Sequence, residues 1–144
     1  MDLSGYSIDY RPGIADGIHA MPSTRHLGIR CLGFVDGGSA VEMPISPEVT
    51  FEGSIVQGAM VGVLADYAAV SAATASCPPG WFGSTTGYNV HNIAPARGER
   101  LVAVGSICGR SRSAASTRAD VYAVTGEDWT LVATCLATCR LSSS

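Results

Sequence analysis

Apolar and polar residues alternate from His26 to Val35, with Leu27, Ile29, Cys31 and Gly33 on one side. That period of two predicts a half-buried strand. Asp36-Gly37-Gly38 is a turn signal, so Ser39–Ile45 reads as the returning strand of a hairpin, ended by Ser46-Pro47. The pattern then changes. From about Gln57 to Ala75 the residues are small and apolar on nearly all sides, which predicts a buried helix. Cys77-Pro78-Pro79-Gly80 stops it. Four strand-like stretches follow: Trp81–Ile93, Glu99–Arg110, Ala114–Val124 and Thr130–Leu141. Gly109–Ser113 reads as a polar loop and Thr125–Asp128 as a hairpin loop. Residues 1–25, with Pro12, Pro22 and several glycines, read as a poorly ordered lead-in with a helical turn near Gly13–Ala20. Residues 26–144 form the predicted domain. A hairpin, one buried helix and a meander define an α+β class, a long central helix wrapped by an antiparallel sheet.

Composition narrows the function classes. With 144 residues the chain makes one domain, and 47% hydrophobic against 15% charged residues excludes disorder. The net charge is −3. All nine basic residues are arginine. Such a balance predicts no nucleic-acid partner. Five cysteines, no CxxC and an Asp directly after Met1 predict reduced thiols and a cytoplasmic protein. Gly58–Ser76 has the small, apolar content of a membrane helix, but Asp66 near its middle would cost about 2.5–3.5 kcal/mol there. No membrane partner is expected.

Asp66 is the candidate for chemistry. It is the only Asp, Glu, Lys or Arg between Gly53 and Ala96. A lone carboxylate on a buried helix is costly unless paired or used. It is either tied to a partner such as Arg97 or a backbone amide, or it serves as a general base or nucleophile. The helix start is the second candidate. If the helix begins at Gln57-Gly58-Ala59, its first amides lack intrahelical acceptors and can hold an oxyanion. The competing reading is a capping box over Ser54-Ile-Val-Gln57, in which Gly58 would bond back to Ser54. Gly58 and Asp66 are eight residues apart, about 12 Å along one helix. One carbonyl cannot touch both from the same helix. If both act on it they come from two subunits, which predicts a homodimer with antiparallel central helices.

The stretch Val56-Gln-Gly-Ala-Met-Val-Gly-Val-Leu-Ala-Asp-Tyr-Ala-Ala resembles the central helix of hotdog-fold acyl-CoA thioesterases of the phenylacetate-degradation (PaaI-like) group. Thr85-Thr-Gly-Tyr-Asn-Val-His-Asn-Ile-Ala-Pro-Ala-Arg-Gly resembles that group's following strand and turn, and Leu131–Cys139 its last strand. The resemblance runs from about Leu27 to Leu141. It implies a hotdog fold, acyl-CoA hydrolysis, no cofactor beyond the coenzyme A of the substrate, and dimers commonly paired into homotetramers. It gives Asp66 the role of general base or nucleophile, the Gly58 amide that of polarising the thioester carbonyl, and Thr85 that of placing water. Gln57 falls on the usual His that supports the thioester, and Asn89 falls among the substrate contacts. Three positions depart from the pattern: Gln57, Ala59 in place of a second Gly, and Phe51 where many members carry Asn.

Other residues add detail. Arg110, Arg112 and Arg118 flank a Ser-rich loop, and Arg97 and Arg100 follow Pro95. Guanidinium groups suit coenzyme A phosphates; the loops are equally plain strand connections. Small residues such as Ala65, Ala68 and Ala69 are candidates to line an acyl pocket, with Trp81, Phe82 and Tyr88 as core or pocket residues. No His pairs with a carboxylate at metal-ligand spacing, so no metal is expected. Two other functions fit the same fold: a non-catalytic acyl-CoA binder, motivated by Gln57 and Phe51, and an enoyl-thioester hydratase using His91.

Overall fold

The computed structural model describes residues 1–144. Strand β1 (Arg30–Val35) and strand β2 (Gly38–Pro44) form the hairpin, joined by Asp36-Gly37 with Gly37 at φ 64°. Helix α3 (Gly58–Ala75) follows, then β3 (Trp81–Asn92), β4 (Arg100–Arg110), β5 (Ala114–Thr125) and β6 (Asp128–Ser143). The strands form one antiparallel sheet in the order β1-β2-β4-β5-β6-β3. Helix α3 packs against all six strands, least against β1. The α+β expectation of a helix wrapped by a sheet holds.

Ten of the 18 residues of α3 are buried, among them Val61, Leu64, Ala65, Ala68 and Ala72. The run of alanines lets the helix axis come close to the sheet. At Gly105 of β4 an added Cβ would collide with the Ala68 carbonyl oxygen, and Ser39 Oγ donates to that same oxygen at 2.5 Å. The helix has the length and hydropathy of a membrane span, and the sheet buries more than half of it. Ala65, Ala68 and Ala69 are wholly buried against strands, so they line no pocket.

Two expectations change at the N-terminus. Residues 1–25 are not a loose lead-in: Pro12–Ala20 is helix α1 and Pro22–Leu27 is helix α2. Each begins with the proline that suggested disorder, because proline fits the first helical position, where its missing N–H is no loss. Ala15 and Ile18 join the main core. His26 and Leu27 belong to α2, so β1 starts four residues later than the alternation implies. Ser7 exchanges two backbone hydrogen bonds of 3.0 Å with Phe34, which covers the free edge of β1. The other edge, β3, has no strand on its outer side.

Candidate active site

Asp66 sits half-buried in the middle of α3, where the helix crosses under β3. Thr85 of β3 donates its hydroxyl to Asp66 Oδ1 at 2.7 Å. Asp66 has no ion pair. Arg97 instead donates to Ser54 Oγ at 2.7 Å and lies 3.6 Å from Glu52, which removes it as the structural partner of Asp66. The second carboxylate oxygen is therefore left for a ligand or water. Burial pushes the Cys135 and Cys139 thiols above their ordinary range, and the charge of Asp66 pushes further the same way. Both thiols stay protonated and are poor nucleophiles.

Helix α3 starts at Gly58 with Gln57 as its N-cap, and no side chain caps it. Ser54 makes no capping bond; its hydroxyl donates to Glu52. The later of the two possible starts is the one formed. The first amides to find acceptors are those of Met60 and Val61, both on the Gln57 carbonyl. The Gly58 and Ala59 amides thus lie free at the positive end of the helix dipole, at an exposed surface. Gln57 turns its side-chain amide back onto the Thr50 carbonyl at 3.2 Å. Beside Gly58 is a cleft of about 390 Å³ walled by Phe51, Ile55, Val61 and Asn92–Ala96.

A bulge in β3 decides which of its residues face α3. Thr85 pairs with Cys139 on the inner face, but Gly87 pairs with Thr138, shifting the alternation by one. Beyond the shift Tyr88, Val90 and Asn92 face the helix: Tyr88 and Val90 lie over Gly62, and the Asn92 amide lies against Gly58. Asn89 and His91 pair with Leu136 and Thr134 on the outer face, away from Asp66. The sequence points to Asn89 and not to Asn92, and it offers Tyr88 only as a core or pocket residue; Gly87 is the only sign of the bulge. His91 on the far face deprives the hydratase reading of its histidine.

The arginines are dispersed. Arg110 reaches the end of α3, donating to the Ser76 carbonyl at 2.5 Å. Arg118 projects from the outer face of β5 and pairs with Asp120 at 2.9 Å. Arg112 is exposed at the tip of the β4–β5 loop, and Arg97 stands next to the Gly58 cleft. The structure does not gather Arg97, Arg110, Arg112 and Arg118 on one surface. It does join Asp66 to Thr85, and Gly58 to Gln57 and Asn92, about 12 Å apart along α3.

A six-stranded antiparallel sheet wrapped around one long helix is the hotdog arrangement of α+β proteins. Solved structures similar to this chain include thioesterase-family proteins. A thioesterase family protein from Silicibacter pomeroyi is 22% identical, with 94% of this chain and 99% of that chain covered and a TM-score of 0.87. The PaaI protein of the E. coli phenylacetic acid degradation operon is 15% identical, covering 94% and 96%, with a TM-score of 0.80. A Haemophilus influenzae thioesterase is 16% identical, covering 88% and 87%, with a TM-score of 0.78. These likenesses establish the fold. No protein-family model and no curated protein matches the chain.

Proposed function

We propose that the protein hydrolyses an acyl-CoA thioester at a site shared between two subunits. The observation that carries this reading is the isolated Asp66–Thr85 pair, set about 12 Å along α3 from unpaired amides. In the reaction Asp66 takes a proton from a water held by Thr85. The water oxygen bonds to the carbonyl carbon, and the carbonyl oxygen becomes an oxyanion. That charge is met by the Gly58 amide of the partner subunit, with Gln57 beside it. The C–S bond then breaks; the thiolate leaves with the electron pair and takes up a proton, giving free acid and coenzyme A. Direct attack by the Asp66 carboxylate, followed by hydrolysis of the anhydride, uses the same geometry.

The free edge of β3 supports the dimer. It is 12 residues long and mostly exposed, an open template for a second strand. Antiparallel pairing of two β3 strands about Tyr88 sets Thr85 opposite residue 91 of the partner. That brings the partner's helix start, which lies beside its own Asn92, up to Asp66. Arg97 next to the cleft, and Arg110 and Arg112 at the β4–β5 turn, are the proposed phosphate contacts; Arg118 and Asn89, on the outer face, would act only through a further subunit of a tetramer.

Thiol release from a panel of acyl-CoA thioesters tests the proposal. Asp66→Asn should lower kcat by about 10²–10⁴ while circular dichroism and thermal midpoint stay near wild type. Undiminished turnover in that variant removes the mechanism. Thermal stabilisation by acyl-CoA with no thiol release from the wild type would leave a binding protein instead.

A further inference from the structure

Asn92 is the last residue of β3, beyond the bulge, and its side-chain amide lies against the start of α3. The three atoms nearest to a Cβ built on Gly58 all belong to Asn92, with Nδ2 closest at 2.9 Å. Resting on the proposed thioester chemistry, we infer that Asn92 is a further catalytic residue: its Nδ2–H and the Gly58 N–H of the same chain donate together to the oxyanion. Distance comes first. The Gly58 nitrogen is about 2.5 Å from that Cβ position, so Nδ2 is at most about 5.4 Å from it. Two N–H donors, each about 2.9 Å from one shared oxygen, stand up to about 5.8 Å apart. A single oxygen can therefore accept from both.

Availability comes second. Gln57, which the resemblance sets beside the thioester, has turned its amide onto the Thr50 carbonyl at 3.2 Å. Asn92 donates its side-chain amide to no group of the chain. It is also the only polar side chain in the cleft beside Gly58, whose walls include Phe51, Ile55, Val61 and Ile93. A hydrogen bond to developing charge is worth more between apolar walls than in water.

The backbone supplies the third observation. Without the extra residue between Thr85 and Gly87, His91 would face the helix and Asn92 would face outward. Any side chain at position 58 would push the Asn92 amide away. The bulge and the glycine together bring this one amide to the helix start. In the reaction Asn92 gives up no proton. It holds the charge until the carbonyl re-forms and the thiolate leaves with the electron pair of the C–S bond.

The test compares wild type, Asn92→Ala, Asn92→Leu and Asn92→Asp by thiol release on the thioester that the wild type cleaves fastest. Asn92 is exposed at a strand end, and circular dichroism with thermal midpoints checks that each variant folds. Asn92→Ala and Asn92→Leu should lower kcat about 10²-fold or more and leave KM within about threefold. Asn92→Asp, which sets a like charge against the oxyanion, should lower kcat further. In parallel, calorimetry measures two non-hydrolysable ligands: octyl-CoA, a thioether without the carbonyl, and the ketone with a methylene between sulfur and carbonyl carbon. Asn92→Ala should weaken the ketone about fivefold or more and the thioether less than about twofold. Unchanged kcat in folded variants, or equal weakening of the two ligands, overturns the inference and leaves hydrolysis at Asp66 standing. If the wild type cleaves no thioester, the proposed function fails and the two ligands decide alone. A preference for the ketone that Asn92→Ala abolishes then supports the Asn92 donor, and any other result overturns it.

Discussion

Asp66 is held by a neutral hydroxyl and faces no cation, which leaves its charge for a ligand instead of the fold. It was legible in the sequence because no other ionic residue occurs for many positions on either side. Asn92 was not legible, because which β3 side chains face the helix depends on the bulge between Thr85 and Gly87. A single inserted residue reverses every assignment beyond it. Buried thiols set a pH limit at this scale. Burial pushes Cys31 from 9.0 up to about 11. Below about pH 9 the thiol is protonated in both folded and unfolded chains. Between pH 9 and 11 the unfolded chain releases the proton and the folded chain keeps it, so stability falls as pH rises, by up to about 3 kcal/mol for this group. Burial raises Cys135 and Cys139 the same way. Thermal midpoints measured from pH 8 to 11 should decline, and decline less in Cys31→Ala; a flat profile would contradict this.

Helix α3 and the strands around it were readable as elements because their patterns are long. The period-two alternation of β5, buried at Ala115, Thr117, Ala119 and Val121, is the sort of signal that survives tertiary context. Helix α1 was readable only as a helical turn near Gly13–Ala20, and α2 not at all, since both are short and proline opens each of them. Proline breaks a helix interior but fits its start, and only the packing of Ala15 and Ile18 decides between disorder and a docked helix. The close approach of α3 to β4 at Gly105 was likewise invisible. Gly105→Ala should destabilise the domain by about 1–3 kcal/mol, because the methyl meets the rigid Ala68 carbonyl and not a movable side chain. Urea denaturation reads this directly, as a lower midpoint at unchanged slope.

On the scale of the whole molecule, the two sheet edges differ. The N-terminal segment covers β1 at Phe34, while β3 is open along its length. The unpaired helix start and the unpaired carboxylate belong to the same helix, too far apart to meet within one chain. Both facts agree with the proposed two-fold dimer across β3, in which each active site is shared. Mixing two inactive variants tests that claim. Asp66→Asn removes the carboxylate. Gly58→Pro removes the amide donor and keeps the helix start, because proline is tolerated at the first helical position and Gln57, at φ −59° and ψ 136°, already has the conformation a residue before proline adopts; the new ring displaces the end of the Asn92 side chain, whose Nδ2 lies 2.9 Å from the added Cβ. Each variant alone should be inactive. Unfolded and refolded together in equal amounts, half of the dimers are mixed, and each mixed dimer has one site with Asp66 from one chain and the Gly58 amide from the other. Thiol release should recover to about a quarter of the wild-type rate. No recovery from a refolded mixture that contains mixed dimers would contradict the shared site.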